Sequence, residues 1–199
     1  MGIDVGTPLN HLAMIPLRRL ALALLLALAL VAGASADPFS VATYADLCKV
    51  GTGTDGWTLD ASYVQTADIQ CPAEENFPII GRDEIFEGSY DGGNHTIRGL
   101  SITSSDYSVG MFSSIGGGAT LKNIKLDNCN VSGIDNVGGL SGFSYGATVT
   151  NCSITGLVQG EDTIGGLIGF AVASPFTYLI ALPKSMYPGA AISVALWEN

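Results

Sequence analysis

The sequence predicts an all-β fold, a parallel β-helix (solenoid) of about four coils with a small N-terminal cap. A string that begins at Val109 recurs at Val137 and at Ile164, with offsets of 28 and 27 residues. Glycine accounts for 26 of the 199 residues, and charged residues for only 13%, about half of the ~25% typical of globular domains. A repeat period in the twenties, with few charges and many glycines, is typical of stacked short strands joined by tight corners.

Residues 1–36 are predicted to form a secretory signal peptide. Arg18 and Arg19 precede the apolar run Leu20–Val31, and Ala34-Ser35-Ala36 supplies a small-residue cleavage site. The apolar run is shorter than the ~20 residues that a transmembrane helix needs. We therefore expect a secreted or cell-surface protein without a transmembrane span after cleavage; an uncleaved membrane anchor is the alternative.

Residues 37–78 are predicted to form an N-terminal cap over the first coil, which would otherwise expose an apolar end and a strand edge. The spacing of apolar residues in Ala42–Lys49 predicts a short helix with Thr43 as its N-cap. Cys48 and Cys71 flank the next loop, and in an exported protein such a pair predicts a disulfide bond. That bond would contribute about 3 kcal/mol by closing the loop.

Three segments within residues 79–170 align column by column: Thr96–Ile102, Thr120–Leu126 and Thr148–Ile154, at offsets of 24 and 28 residues. The 28-residue frame places Cys152 beside Ile124 and not beside Cys129. We therefore expect Cys129 and Cys152 to be small buried residues and not a disulfide.

Glycine and asparagine recur where the alternation of these segments breaks. Because both residues tolerate left-handed backbone, this column is interpreted as a corner of the coil. The predicted structural corners are Gly99, Asn123, Asn151, Gly138, Gly139, Gly165 and Gly166.

Gly139-Leu140-Ser141-Gly142 and Gly166-Leu167-Ile168-Gly169 resemble the GLUG repeat, which is named for its Gly-Leu-x-Gly core. The resemblance extends over roughly Trp57–Phe170 and implies a right-handed β-helix of the pectate-lyase-like class. GLUG repeats occur in bacterial secreted and surface proteins, including IgA-cleaving metallopeptidases and adhesin-like chains, as accessory segments. Val109–Ser114 departs from the pattern because its second Gly-Leu pair is missing.

The most polar string is Tyr90–His95. Asp91, His95 and Arg98 could form an acid/base site on one face of the helix. The structural interpretation, which we favour, is a turn in which Asp and Asn side chains bond to their own backbone. No His-Glu-x-x-His zinc motif and no nucleotide fingerprint occur, so we expect no cofactor and no metal. The net charge of −10 disfavours nucleic acid as a partner.

The chain is therefore expected to be a non-catalytic secreted or cell-surface β-helix module for adhesion, for binding a glycan or partner, or for spacing. The alternative is a small polysaccharide lyase or hydrolase of the pectate-lyase-like fold that uses Asp91, His95 and Arg98. Residues 171–199 depart from the repeat and are expected to form an atypical C-terminal tail or cap. A truncated or frame-shifted end would also explain their composition.

Overall fold

The structure is a computed structural model, and it describes residues 37–173 and 176–183. The predicted signal peptide lies outside these residues. The regular elements are helix α1 (Tyr44–Lys49), a 3-10 turn (Thr54–Gly56) and strands β1 (Phe39–Val41), β2 (Ser62–Gln65), β3 (Ile69–Gln70), β4 (Ile80–Phe86), β5 (Ser89–Asp91), β6 (Thr96–Arg98), β7 (Ser101–Thr103), β8 (Phe112–Ile115), β9 (Thr120–Lys122), β10 (Lys125–Ser132), β11 (Val137–Gly138), β12 (Ser141–Tyr145), β13 (Thr148–Gln159), β14 (Ile164–Gly165), β15 (Ile168–Val172) and β16 (Phe176–Pro183).

Successive coils stack through parallel strand pairs. One sheet has the order β1-β2-β5-β9-β13-β10-β6-β3, with β16 and β7 attached to β13 and β10. The second sheet has four strands in the order β15-β12-β8-β4, and β11 pairs with β14 in a two-stranded sheet. The chain thus winds through the same faces in each coil. This confirms the predicted all-β solenoid of parallel strands.

The solenoid has about five coils, which agrees roughly with the four that the sequence predicts. The 28-residue frame is confirmed, because Thr120 pairs with Thr148 and Val109 bridges to Val137. The additional coil begins with β16, which pairs in parallel with β13 from the Val149–Phe176 pair onward. The stacking therefore continues beyond Phe170, although residues 174, 175 and 184–199 lie outside the described part of the chain.

The predicted alignment of Thr96–Ile102 with Thr120–Leu126 is wrong. Thr96 pairs with Lys125, whereas Thr120 pairs with Ser89. Each coil has two corners that contain similar residues, and the sequence alignment matched a corner of one kind with a corner of the other kind. Gly99 belongs to the second corner, where its N–H donates to the carbonyl of Asp127 at 2.9 Å.

Two different constraints explain the glycines and asparagines of the repeat. Gly99, Asn123 and Asn151 have φ angles of 70°, 57° and 51°, which is the left-handed conformation. The predicted corners Gly138, Gly139, Gly165 and Gly166 do not have a positive φ. A Cβ at Gly138 would instead collide with the backbone of Ser141 and Gly169, and a Cβ at Gly139 with the Ile154 side chain.

The interior is filled by side chains that stack from coil to coil. Tyr63, Phe86, Tyr90 and Phe112 are all at most 1% exposed. The ring centroids of Phe86 and Phe112 are 4.8 Å apart, and those of Tyr63 and Tyr90 are 6.4 Å apart. These spacings are within the favourable range for aromatic pairs, so the aromatic stack supports the pairing of successive coils.

The N-terminal end is covered by α1. The Thr43 hydroxyl accepts from the Asp46 N–H at 3.1 Å, and the Asp46 carboxylate accepts from the Thr43 N–H at 3.0 Å, a capping box. The buried Leu47 and the contact of Tyr44 with Phe77, at 6.2 Å between ring centroids, fix the helix on the first coil. Thr43 is therefore the N-cap that the sequence predicts.

The predicted disulfide between Cys48 and Cys71 is not formed: both residues are free thiols in the structure. The Cys48 thiol takes part in a side-chain hydrogen bond with Tyr44. Burial, together with the nearby Cys48, raises the pKa of Cys71 to about 11.

Candidate functional site

Asp91, the first of the predicted acid/base residues, is held at the end of β5 by three partners. Its Oδ1 accepts from Asn123 Nδ2 and from the Gly93 N–H, each at 2.9 Å. Its Oδ2 lies 3.2 Å from Lys122 Nζ. Burial alone would raise the pKa of Asp91, but the hydrogen bonds and the lysine outweigh burial and lower it. Asp91 is therefore a stabilised carboxylate and a poor proton donor at neutral pH.

His95 and Arg98 share a different carboxylate, that of Asp68. His95 Nδ1 is 3.5 Å from Asp68 Oδ1, and Arg98 Nη1 is 3.5 Å from Asp68 Oδ2. The Thr96 N–H also donates to Asp68 at 3.0 Å. This hydrogen bond, followed by Arg98 and His95, lowers the pKa of Asp68.

The contacts of Arg98 continue along the solenoid axis. Its Nε lies 3.4 Å from Asp127 Oδ2 in the next coil, and the Thr155 hydroxyl donates to Asp127 Oδ1 at 2.7 Å one coil further. We name the series Asp68–Arg98–Asp127–Thr155 the charged ladder. The second series, Asp91–Asn123–Asn151, is the amide ladder. Asp91 thus belongs to the amide ladder and Arg98 to the charged ladder, whereas His95 contacts Asp68, the first residue of the charged ladder.

The most irregular feature of the sheets is a bulge in β4. Ile80 pairs with Phe112 and Ile85 with Ser114, so five residues of β4 advance as far as two residues of β8. The extra residues are the exposed Arg82, Asp83 and Glu84. Bulges of this kind are frequent next to binding and active sites, because they turn side chains out of the sheet.

A cleft of about 440 Å³ lies beside this bulge. We name it the bulge cleft. One wall is the bulge, from Arg82 to Ile85, and the other is the connecting loop Ser105–Ser108; Ser113 and Ser114 line the space between them. The cleft is therefore formed by segments from two successive coils.

The two walls are joined by polar contacts. Arg82 Nε lies 3.1 Å from Asp106 Oδ2, although this buried oxygen accepts no hydrogen bond of good geometry within the described residues. The contact is therefore an ion pair by distance alone. The Ser113 hydroxyl lies 3.2 Å from the Ser108 carbonyl and 3.4 Å from the Arg82 carbonyl, which ties the loop to the bulge.

Sequence reasoning missed the bulge cleft. A signal for it is present: the four residues Gly81-Arg82-Asp83-Glu84 interrupt the apolar pairs Ile79-Ile80 and Ile85-Phe86. Four polar or flexible residues are too many for a regular alternating strand of this length. The signal indicates a bulge but gives no partner for it, because the opposite wall is some twenty residues further along the chain.

In residues 37–173 and 176–183, no group of three or more His, Cys, Asp or Glu side chains is arranged to hold a metal ion. Within that same part of the chain, no helix has the length and apolar character needed to cross a membrane.

One curated relative is halomucin from Haloquadratum walsbyi, which is 36% identical over 142 residues. The alignment covers 65% of this chain but only 2% of halomucin. The chain thus corresponds to a very small part of that protein. No protein-family profile matches the sequence.

A similar solved structure is that of a candidate immunoglobulin A1 protease from Bacteroides ovatus. The superposition has a TM-score of 0.55 at 15% sequence identity and covers 74% of this chain and 58% of the other. At this identity the likeness concerns the fold alone. It agrees with the β-solenoid described above.

Proposed function

We propose that this chain is a non-catalytic β-helix module, secreted or held at the cell surface, that serves adhesion by binding a glycan or a partner molecule. The observation that carries the proposal is that Asp91 belongs to the amide ladder, whereas Arg98 belongs to the charged ladder and His95 contacts Asp68 at its start. The Asp91 carboxylate is paired with Lys122, and the Arg98 guanidinium lies between Asp68 and Asp127. These pairings run from coil to coil, and they favour an extended surface over a site around one reacting atom.

The comparisons support the location and the modular character. Similarity to a small part of halomucin fits a unit within a long surface or secreted chain. The GLUG-like strings Gly139–Gly142 and Gly166–Gly169 fit the same interpretation, and we propose the GLUG relation on these strings. Solenoids suit this role because their stacked coils offer flat, extended faces for contacts.

The proposal is tested with the full chain on a glycan array and on immobilised extracellular polymers, in parallel with assays for cleavage. We expect binding without release of unsaturated products or new reducing ends from uronate polymers. Asp91→Asn, His95→Ala and Arg98→Ala should leave binding unchanged. Cleavage of a uronate polymer by the wild-type chain that is lost in these variants would instead establish the lyase or hydrolase alternative.

A further inference from the structure

We propose that the bulge cleft is the ligand site of this module and that it binds an uncharged glycan, with a sugar ring placed against Tyr107 and Ile85. This inference rests on the proposed function and names the ligand class and the residues. Three features of the cleft support it: exposed apolar side chains, polar groups with unsatisfied hydrogen bonds, and an acidic lining.

The bulge cleft exposes large apolar side chains. Five large hydrophobic residues are exposed in the described part of the chain, and two of them, Tyr107 and Ile85, line this cleft. Tyr107 is 81% exposed and Ile85 is 51% exposed. An aromatic ring and an aliphatic side chain that line the same cleft offer apolar surface for the C–H face of a sugar, and tyrosine adds a hydroxyl for its polar edge.

The bulge also carries polar groups whose hydrogen bonds are not satisfied within the described residues, although Arg82 lies at ion-pair distance from Asp106. Asp83 and Glu84 form no ion pair within the described residues, and the Arg82 guanidinium donates no hydrogen bond there. Sugar hydroxyls donate as well as accept. Carboxylates on one wall and guanidinium N–H groups next to them therefore match both functions of a vicinal pair of hydroxyls.

The charge of the cleft favours uncharged glycans over acidic ones. Its lining contains the acidic Asp83, Glu84 and Asp106 but one basic residue, Arg82, and the whole chain has a net charge of −10. A uronate or sulfated polymer would bring further negative charge to these carboxylates and be repelled. An uncharged glycan avoids the repulsion and retains the hydrogen bonds.

The cleft is also held in shape before a ligand arrives. The Arg82–Asp106 ion pair and the two contacts of the Ser113 hydroxyl join the bulge to the loop. Binding to a pre-formed site saves the entropy of ordering the loop. An exposed Tyr107 on such a loop can contribute its full contact area.

The surroundings of the cleft favour a chain of sugars over a single sugar. Ile85 pairs with Ser114, Ser114 with Phe143, and Phe143 with Phe170, in successive strands of the four-stranded sheet. Phe143 and Phe170 stack at 5.8 Å between centroids and are partly exposed. The outer face of the four-stranded sheet therefore continues from the cleft as a row of side chains along the solenoid axis, which we name the outer apolar track. Three of the four side chains are apolar, and the small Ser114 lies between Ile85 and Phe143.

The test measures binding of uncharged oligosaccharides (mannan, glucan and galactan fragments) to the full chain by titration calorimetry. Tyr107→Ala should raise Kd by about tenfold, the size expected for the loss of one aromatic contact. Tyr107→Phe retains the ring and should stay within about threefold of the wild type. Tyr145→Ala is the matched control, because Tyr145 is 59% exposed on the same sheet but does not line the cleft.

The carboxylates are tested by the Asp83→Ala/Glu84→Ala double variant, which should also raise Kd by about tenfold by removing charged hydrogen-bond acceptors. Thermal unfolding of each variant is measured alongside and should match the wild type. Because the ligand is uncharged, Kd should change little between 50 and 500 mM salt, whereas charge–charge contacts weaken over this range.

Three outcomes contradict the inference. Glycan binding that Tyr107→Ala leaves unchanged would place the ligand elsewhere, and the proposed function would stand. Salt-sensitive binding of polylysine or chitosan that is lost in Asp83→Asn/Glu84→Gln would make this a site for cationic partners. Binding to none of the uncharged or charged glycans would contradict both the inference and the glycan form of the proposed function.

Discussion

Asn151 Nδ2 donates to Asn123 Oδ1 at 2.8 Å, and the two residues occupy the same corner of successive coils. Both have left-handed backbone, and Asn123 in turn donates to Asp91 at 2.9 Å. Asparagine thus satisfies two requirements of the corner together. It tolerates the positive φ, and its amide both accepts from one coil and donates to another.

Asn123→Ala should lower the free energy of unfolding by about 2–3 kcal/mol, through a strained φ and the loss of a hydrogen bond to a carboxylate. Asn94→Ala is the control, because Asn94 also has a positive φ, of 62°, but its side chain forms no hydrogen bond within residues 37–173 and 176–183. It should lose about 1 kcal/mol. Urea unfolding of both variants measures the difference, and equal losses would show that the amide ladder adds nothing.

Stability should fall as the pH is lowered below about 4. The folded-state pKa values of Asp91 and Asp68 are depressed, so their contribution is present above the unfolded-state value of about 3.9. It is lost as the pH falls through the lower folded-state values. Asp91→Asn removes one of these groups, so its urea midpoint should decline less steeply between about pH 5 and pH 3 than that of the wild type. Parallel declines would exclude Asp91 from this linkage.

Gly138→Ala should destabilise the protein by about 3 kcal/mol or more, since the added methyl group would collide with backbone atoms that cannot move aside. Those atoms belong to Ser141 and to strands of the next coil. Gly118→Ala is the matched control, because no atom lies within 4 Å of a Cβ there and only its φ of 87° is unfavourable. The control should lose about 1–2 kcal/mol. A similar Tm for the two variants would contradict the close packing at Gly138.

All four cysteines should be free thiols, and they should react with iodoacetamide at different rates. Burial raises the pKa of Cys129 to about 12 and that of Cys152 to about 11, and both side chains are at most 2% exposed. Cys48 is partly exposed and should be labelled first. Mass spectrometry of the native and the urea-unfolded chain locates the label. Rapid native labelling of Cys129, or a pair of cysteines that resists labelling after unfolding, would contradict the structure.

The repeat could be predicted from the sequence where successive coils contain nearly the same number of residues. The strings at Val109, Val137 and Ile164 lie in register because their coils differ by at most one residue. The register at Thr96 could not be found in this way. Gly99 and Asn123 both tolerate left-handed backbone, so local sequence similarity aligned them although they lie at different corners of the coil. The strand pairs show the difference, because Thr96 pairs with Lys125 whereas Thr120 pairs with Ser89.

The bulge cleft shows a second limit of sequence reasoning. Arg82 and Asp106 are far apart in the chain, and neither has a neighbour in sequence that indicates the other. Their contact follows from the pairing of β4 with β8 and from the three-dimensional path of the loop between Thr103 and Phe112. The Cys48–Cys71 disulfide predicted from spacing is absent from the structure, since spacing in the chain does not determine whether two neighbouring thiols are joined.

The pairing of Thr120 with Thr148 makes one coil an interchangeable building block. Any segment cut at these two equivalent points begins and ends at the same place on the cross-section, so whole coils can be added or removed without changing the path of the rest. The bulge of β4 lies in an earlier coil, outside such a segment. Removing such a coil would shorten the solenoid and take Phe143 out of the outer apolar track, while the bulge cleft itself would keep all of its lining residues.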